Sequence, residues 1–435
     1  MKTSSFFTVL MTAAMLAAGC GGSSTVNESS STTGTTTTGT STGGTTTGGT
    51  TTGGTTTTSS GVYTLSDGTS VTLSGKTYTS TTADVNAIKV TSGTLTLTND
   101  TIVKSAGDCS DSDGSSFYGT NAAILASGSS AKVVMSGGKI TTSAKGANAI
   151  VAYGGTVTVS DVTMTCSSNL SRGIHATGGG TINATNLTIT TAGSNSSVIA
   201  TDRGGGTVTV TGGTYKTTGT DCAVIYSTGA ITVNNITGSS SQGEIGVIEG
   251  SNSITINNSS ISSSSSSRAM MILQSGSGDA TGYDGKINVN GGTLTSTNSS
   301  APLIEITTST TGTLTLTDAT LSIASGVLMK VDYNTRWSTT SPVAYLILAG
   351  TSGKTYTGNI LVDSYGTATV TVNSGIVWNG AYDNANTGKS TKAVINGTWN
   401  LTGNSYVDTI TNNGTINKNG YTLTYTTLTG SGTLQ

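Results

Sequence analysis

The most regular feature of the chain is an alternation of apolar and polar residues in short segments that start with Gly-Thr or a close variant. Each copy reads Gly-Thr-apolar-Thr-apolar, then a polar residue, a turn of Asn, Asp or Gly, and a second short run of β-forming residues. Alternation with a period of two sends apolar side chains to one face of a strand and threonines to the other. The copies begin at Gly93, Ala131, Gly155, Gly180, Gly206, Gly229, Asn252, Gly285 and Gly312. The predicted inward-facing pairs include Leu95/Leu97, Val157/Val159, Val208/Val210 and Ile254/Ile256.

The spacing of these copies predicts a parallel β-solenoid. Most copies start about 23–27 residues after the previous one, and a second apolar stretch precedes each, so one period holds two or three short strands. Because each unit has a single row of apolar side chains, it can bury them only by stacking on its neighbours. A β-sandwich or a propeller would instead show hairpin turns every ~8–12 residues or longer blades. Roughly fourteen or fifteen coils are expected.

A period of this length with three short strands per turn resembles the single-stranded right-handed parallel β-helix of pectin-degrading enzymes and bacterial surface passengers. We therefore predict an all-β fold of this class, regular over 61–326 and looser over 327–435. Longer steps between copies predict loops at 106–120 and 274–284, and functional groups often lie on such loops. Residues 399–406 (WNLTGNSY) and 413–416 (NGTI) resemble the end of pertactin-type autotransporter passengers. That resemblance implies that the last coils cap the β-helix and help it to fold.

Composition narrows the range of functions. Only 9% of the 435 residues are charged and the net charge is −2, so no basic stripe is available for a nucleic-acid partner. The chain contains 61 Gly and few strong helix formers, which argues against long helices.

The amino terminus has the organisation of an export signal. Lys2 is followed by an apolar stretch from Phe6 to Ala18 and by small residues leading to Cys20. The run LAAGC that ends at Cys20 resembles the bacterial lipoprotein box, which implies acylation of Cys20 and a membrane partner through the lipid anchor. Residues 21–60, almost wholly Thr, Gly and Ser, are predicted to be a disordered tether. We expect an outer-membrane or cell-surface lipoprotein; the alternative is an ordinary secretory signal cleaved near Ala18.

The densest set of polar side chains lies just before successive copies of the repeat. If the coils stack, Asp202 and Glu249 lie two coils apart, about 10 Å, at the upper end of the separation used by inverting glycosidases. The candidate catalytic residues are Asp202, Arg203, Glu249 and His175, the only histidine, although a lone histidine on a solenoid face is typically a surface residue. The candidate binding residues are Arg172, Tyr226, Glu244 and Arg268. The alternative is a ladder of alternating charges that satisfies neighbouring side chains.

A metal site has one candidate segment. Asp108, Asp111 and Asp113 could supply oxygen ligands to calcium, but the EF-hand pattern requires an acid at Cys109 and a later Glu. A polar turn and no cofactor are therefore predicted, with calcium as the alternative. Cys109, Cys166 and Cys222 are predicted to be small buried thiols.

Three functional hypotheses remain. The first is an adhesin-like binding or structural protein that presents a long polar flank to glycans, matrix or other cells. The second is a carbohydrate-active enzyme, a polysaccharide lyase or a glycoside hydrolase, working through Asp202, Arg203 and Glu249. The third is ice binding by the outward threonines of the T-x-T copies, whose rows are interrupted at Val134, Asn183 and Lys286.

Overall fold

The computed structural model describes residues 62–308, 310–335 and 340–435. The signal at 1–20, Cys20 and the tether at 21–60 lie outside the described residues, and their assignment stays a prediction. The part of the chain that the structure describes contains one α-helix, α1 (Ser112–Tyr118), and short strands that pair in parallel.

The strands of the first half follow in chain order. They are β1 (Tyr63–Leu65), β2 (Ser70–Ser74), β3 (Thr77–Ser80), β4 (Ile88–Val90), β5 (Gly93–Thr98), β6 (Thr101–Lys104), β7 (Ile124–Ser127), β8 (Ala131–Ser136), β9 (Lys139–Thr142), β10 (Ile150–Tyr153), β11 (Thr156–Ser160), β12 (Thr163–Cys166), β13 (Ile174–Thr177), β14 (Gly180–Thr191), β15 (Ile199–Thr201), β16 (Gly206–Thr217), β17 (Ile225–Ser227), β18 (Ala230–Asn234), β19 (Thr237–Ser240) and β20 (Gly246–Glu249).

The strands of the second half continue the series. They are β21 (Ser253–Asn257), β22 (Ser260–Ser263), β23 (Met270–Leu273), β24 (Asp284–Asn290), β25 (Thr293–Ser296), β26 (Ile304–Thr307), β27 (Thr311–Thr317), β28 (Thr320–Ile323), β29 (Val327–Asp332), β30 (Val343–Ala349), β31 (Thr355–Thr357), β32 (Asn359–Val362), β33 (Thr367–Val372), β34 (Val377–Asn379), β35 (Ser390–Ile395), β36 (Thr398–Asn400), β37 (Ser405–Asn412), β38 (Thr415–Asn417), β39 (Leu423–Thr429) and β40 (Thr433–Leu434).

These strands form three stacked rows, as the predicted right-handed parallel β-helix requires. The first row, which we call the flank sheet, is β1-β4-β7-β10-β13-β15-β17-β20-β23-β26-β29-β32. The second, the front row, is β2-β5-β8-β11-β14-β16-β18-β21-β24-β27-β30-β33-β35-β37-β39. The third, the side row, is β3-β6-β9-β12, the second halves of β14 and β16, then β19-β22-β25-β28. A five-stranded sheet, β31-β34-β36-β38-β40, accompanies the last five coils.

The front row contains fifteen strands, one for each coil, which agrees with the number of coils expected from the repeat. The inward positions stack into apolar columns in which Val157, Ile182 and Val208 lie in register. All four predicted inward-facing pairs are buried, so this expectation is confirmed. Each coil buries its own row only because the neighbouring coils cover it.

A left-handed residue turns the chain between the front row and the side row in successive coils. Backbone φ angles of +47° to +69° occur there, a region in which Asn, Asp and Gly meet the least steric cost. The residues at this corner are Asn99, Gly137, Asp161, Asn186, Gly212, Asn235, Asn258, Gly291 and Asp318. The turn chemistry of the repeat therefore fixes where the front strand ends and the side strand begins.

Candidate functional site

The outward face of the flank sheet is unusual because its central part is buried. Val151, His175, Ala200, Tyr226 and Val247 lie in register on successive strands and point away from the solenoid core. All five are at most 5% exposed. Two insertions account for this burial, and we call residues 105–122 the first flap and residues 274–283 the second flap.

The first flap carries α1 and folds across the earlier coils. Asp111 caps the helix by accepting a hydrogen bond from the Asp113 amide at 3.0 Å, and Gly119 ends it in a left-handed conformation with φ of 67°. Gly119 lies so close to the flank sheet that an added Cβ would stand 2.8 Å from Val151 Cγ1 and 2.9 Å from Leu125 Cδ1. Both the backbone angle and the close approach therefore require glycine at this position.

The second flap folds back from β23 toward the earlier coils. Ser275 Oγ donates a hydrogen bond to Glu249 Oε2 at 2.7 Å, and Asp279 is buried. Arg203 joins the two flaps. Its Nη2 lies 2.7 Å from Asp279 Oδ1 on the second flap, and its guanidinium carbon lies 3.8 Å from the centre of the Phe117 ring on the first.

A buried polar cluster lies beneath the flaps, made of Arg172, His175 and Asp202. Arg172 Nη2 lies 3.0 Å from Asp202 Oδ2, and its Nη1 donates to Ser116 Oγ of the first flap at 3.1 Å. His175 Nε2 is 4.0 Å from Asp202 Oδ2. Neither ring nitrogen of His175 has a hydrogen-bond partner among the described residues. The prediction of a surface histidine is wrong, because the flaps cover this part of the outward face.

Burial controls the protonation of this cluster. Burial, reinforced by the Arg172 charge, lowers the pKa of His175 well below its usual value, so the imidazole is neutral. Burial raises the pKa of Asp202 to about 7, against the opposing effect of Arg172. Burial also raises the pKa of Glu249, whose Oε1 accepts a hydrogen bond from the Tyr226 hydroxyl at 3.0 Å.

The candidate catalytic residues therefore divide between two environments. Asp202 and Glu249 are two coils apart, with β17 between β15 and β20, and both side chains are buried under the flaps. The Arg203 side chain is 42% exposed. A carboxyl group with a pKa near neutrality is suited to proton transfer, but a polymer can reach these two only if the flaps move.

Glu244 and Arg268 belong to a different arrangement farther along the flank sheet. Arg268 Nε lies 3.2 Å from Glu244 Oε1, and its Nη1 lies 2.7 Å from Glu305 Oε2. Lys330 continues the series, 4.0 Å from Glu305 and 2.8 Å from Asp332. Burial and the nearby Glu305 raise the pKa of Asp332 to about 6. The geometry here is that of an alternating charge ladder, whose three later members the sequence analysis did not identify.

Two of the three calcium candidates, Asp108 and Asp111, accept hydrogen bonds from backbone amides. Asp108 Oδ1 accepts a hydrogen bond from the Lys145 amide at 2.8 Å, and Asp111 caps α1 next to Asp113. Within the described ranges, no three His, Cys, Asp or Glu side chains are grouped so that they could hold a metal ion. Cys109, Cys166 and Cys222 are buried free thiols.

The side row presents a second surface that the sequence analysis missed. Seventeen of its twenty outward positions are Thr or Ser, all at least partly exposed, and we call this surface the hydroxyl face. Its first column is Thr77, Thr101, Lys139, Thr163, Thr188, Thr214, Thr237, Ser260, Thr293 and Thr320. Its second column is Thr79, Val103, Thr141, Thr165, Thr190, Lys216, Ser239, Ser262, Thr295 and Ser322. The front row is less regular, because Lys132, Ala230 and Asn288 interrupt its outward hydroxyl positions in addition to Val134, Asn183 and Lys286.

The sequence carried a signal for both features. The flank strands read as continuous apolar runs, such as Ile150–Tyr153 and Met270–Leu273, and runs without alternation are typical of strands buried on both faces. The residues of the hydroxyl face occur in the second half of each repeat, for example as TMT at 163–165 and TIT at 188–190. Variable turns separate these triplets from the first half of each repeat, whose recurring Gly-Thr start is easier to recognise.

The contribution of Asp202 to the stability of the fold is expected to fall as the pH rises from about 4 to about 8. Asp202 has a pKa of about 7 in the fold and an ordinary value near 3.8 in the unfolded chain, so the fold binds the extra proton. Its stabilising contribution is complete below pH ~4 and is lost as the pH rises through ~7. His175 acts oppositely, because a lowered pKa costs stability below pH ~6.5. The melting temperature of Asp202→Asn relative to that of the parent protein should therefore rise with pH across this range; a constant difference would contradict the assignment.

Comparison with known proteins gives no assignment: no protein-family model matches the chain, and no curated protein shows significant sequence similarity to it. The described ranges also lack a helix of the length and apolar character needed to span a membrane.

Proposed function

We propose that this β-helix is a surface-displayed, lipid-anchored binding or structural protein that presents its hydroxyl face to glycans, matrix or other cells. The observation that supports the proposal is the regularity of that face. Hydroxyls repeat at every second residue along each strand and at ~4.8 Å from coil to coil, and each can both donate and accept hydrogen bonds. Two lysines and no carboxylate occur among its twenty outward positions, which suits an uncharged, hydroxyl-rich partner.

The proposed anchor and location rest on the sequence alone. An acyl group on Cys20 and a tether over 21–60 would hold the rod away from the membrane, with the coils free to meet an external partner. The likeness of residues 399–416 to passenger ends adds a proposed role for the last coils, which is to cap the rod.

The burial of Asp202 and Glu249 weighs against the enzyme hypothesis. A lyase or hydrolase must bring a sugar polymer into contact with its catalytic carboxyls, and both groups lie under the flaps. Ice binding remains an alternative for the hydroxyl face, because a flat array of threonines is shared by both hypotheses.

Binding to insoluble neutral polysaccharides tests the proposal. We expect the protein to be retained on cellulose, chitin or xylan without release of reducing or unsaturated ends. The triple variant Thr163→Val, Thr188→Val and Thr214→Val should bind at least about tenfold more weakly, since each lost hydrogen bond is worth about 0.5–1.5 kcal/mol.

The matched control places the same three substitutions on the same coils of the front row, at Thr156, Thr181 and Thr207. If both triple variants lost polysaccharide binding to the same extent, the hydroxyl face would not be the binding surface. Cleavage of a polysaccharide would favour the enzyme hypothesis, and altered ice growth without retention on any polysaccharide would favour ice binding.

A further inference from the structure

The two flaps are each hydrogen-bonded to the flank coils, and one side chain, Arg203, bridges them to one another. Arg203 contacts Phe117 of the first flap and Asp279 of the second, and its own side chain reaches solvent. Asp279, by contrast, is 2% exposed in its side chain. The joint between the flaps therefore lies at the surface, above side chains that are fully enclosed.

The enclosed side chains include a histidine whose hydrogen-bonding groups are unused. His175 is completely buried, yet neither Nδ1 nor Nε2 has a partner among the described residues. An unsatisfied buried polar group destabilises a fold, and His175 has two such groups. Val151 and Ala200 lie in register with His175 on the two neighbouring strands. Their side chains are apolar and cannot form hydrogen bonds with the imidazole ring.

We propose that the flaps cover an internal binding site centred on His175, that Arg203 is the latch of this cover, and that the ligand is a small uncharged molecule bearing hydroxyl groups. A neutral imidazole offers one N–H donor and one nitrogen acceptor, and a hydroxyl group can satisfy either. The nearest charged groups, Arg172 and Asp202, already form an ion pair with each other at 3.0 Å, so neither requires a charged ligand. This inference is independent of the hydroxyl face, which lies on another row of the β-helix.

The site can be tested directly because His175 is the only histidine in the chain. Diethyl pyrocarbonate reacts with neutral imidazole, and because it also acylates lysine, tyrosine and cysteine, labelling is followed through the N-carbethoxyhistidine adduct, which forms only at this one side chain. We expect slow labelling of the parent protein and labelling at least about tenfold faster in Arg203→Ala. Asp279→Asn, which keeps the Phe117 contact, should give an intermediate rate. Lys286→Ala, which removes an exposed ion pair with Asp284, is the matched control and should label like the parent.

Two results would overturn the latch. One is an Arg203→Ala variant that unfolds at the parent's temperature and labels no faster than the parent. The other is a parent protein that labels as fast as the urea-unfolded chain. If Arg203→Ala does not fold, the Asp279→Asn rate decides the question by the same comparison.

The ligand class has its own test in the opened Arg203→Ala variant. Glucose serves as the uncharged hydroxylated probe and glucuronate as a charged probe of similar size. Protection of His175 by glucose, slowing labelling at least about threefold, with no protection by glucuronate supports the assignment. Protection by glucuronate, or by neither probe, would overturn the ligand class while leaving the latch result intact.

Discussion

Arg172→Met is expected to lower the free energy of unfolding by about 3–5 kcal/mol, one of the two largest effects that the structure predicts for a single substitution. Methionine fills much of the volume of the arginine stem but supplies no charge. At pH ~8, above the pKa of about 7 that Asp202 has in the parent fold, Asp202 would then have to stay buried as a carboxylate without its 3.0 Å cationic partner or take up a proton. Ser116 would also lose the hydrogen bond that ties the first flap to the flank sheet. Urea unfolding followed by far-ultraviolet circular dichroism measures the change.

The double variant Arg172→Met/Asp202→Asn separates the cost of an unpaired charge from the loss of packing. Because asparagine has the shape of aspartate without its charge, we expect the double variant to recover most of the lost stability. A loss below about 1 kcal/mol in the single variant would show that Asp202 is accommodated without Arg172. A double variant no more stable than the single one would assign the loss to packing instead.

The fold was predictable because the repeat determines its own register. A single apolar row in each unit leaves stacking as the only way to bury Val157 or Val208, and the left-handed corner residues fix where each strand ends. The number of coils follows from the period. Every one of these features is local to the repeat, so no long-range contact had to be guessed.

The cover over the flank sheet was not predictable from spacing alone. The longer steps from Gly93 to Ala131 and from Asn252 to Gly285 reveal where insertions lie, but not the direction in which they fold. The α1 helix is only seven residues long, and so short a helix depends on tertiary contacts more than on propensity. Its place is set by Phe117, Gly119 and the Arg172 hydrogen bond to Ser116, all of which are contacts distant in sequence.

The charged residues along the flank sheet lie in two different environments, one covered by the flaps and one beyond them. Spacing placed His175, Asp202, Glu249 and Arg268 in one series, because each lies near a flank strand. Under the flaps, burial dominates and shifts the pKa of Asp202 and His175 in opposite directions. Beyond the flaps, at Arg268, opposite charges alternate between coils and satisfy one another.

Trp399→Ala is expected to cost about 3–5 kcal/mol, the other largest effect, and to act on the last coils alone. Trp399 and Trp378 are fully buried and stack with ring centres 4.9 Å apart, and Tyr382 meets both rings edge-on. Both indole N–H groups donate to backbone carbonyls, that of Trp399 to Gly380 at 2.9 Å. Removing one ring leaves a cavity and an unpaired carbonyl in the core of the coils formed by β34–β38.

Hydrogen exchange distinguishes a local effect from a general one. In a solenoid each coil contacts only its neighbours, so protection should fall in β34–β40 while the coils from β5 to β22 keep theirs. Trp399→Phe, which retains an aromatic ring but loses the indole N–H, should recover part of the stability. A uniform loss of protection along the rod would mean that its coils unfold as one unit, and unchanged protection throughout would mean that the aromatic stack does not hold the last coils together.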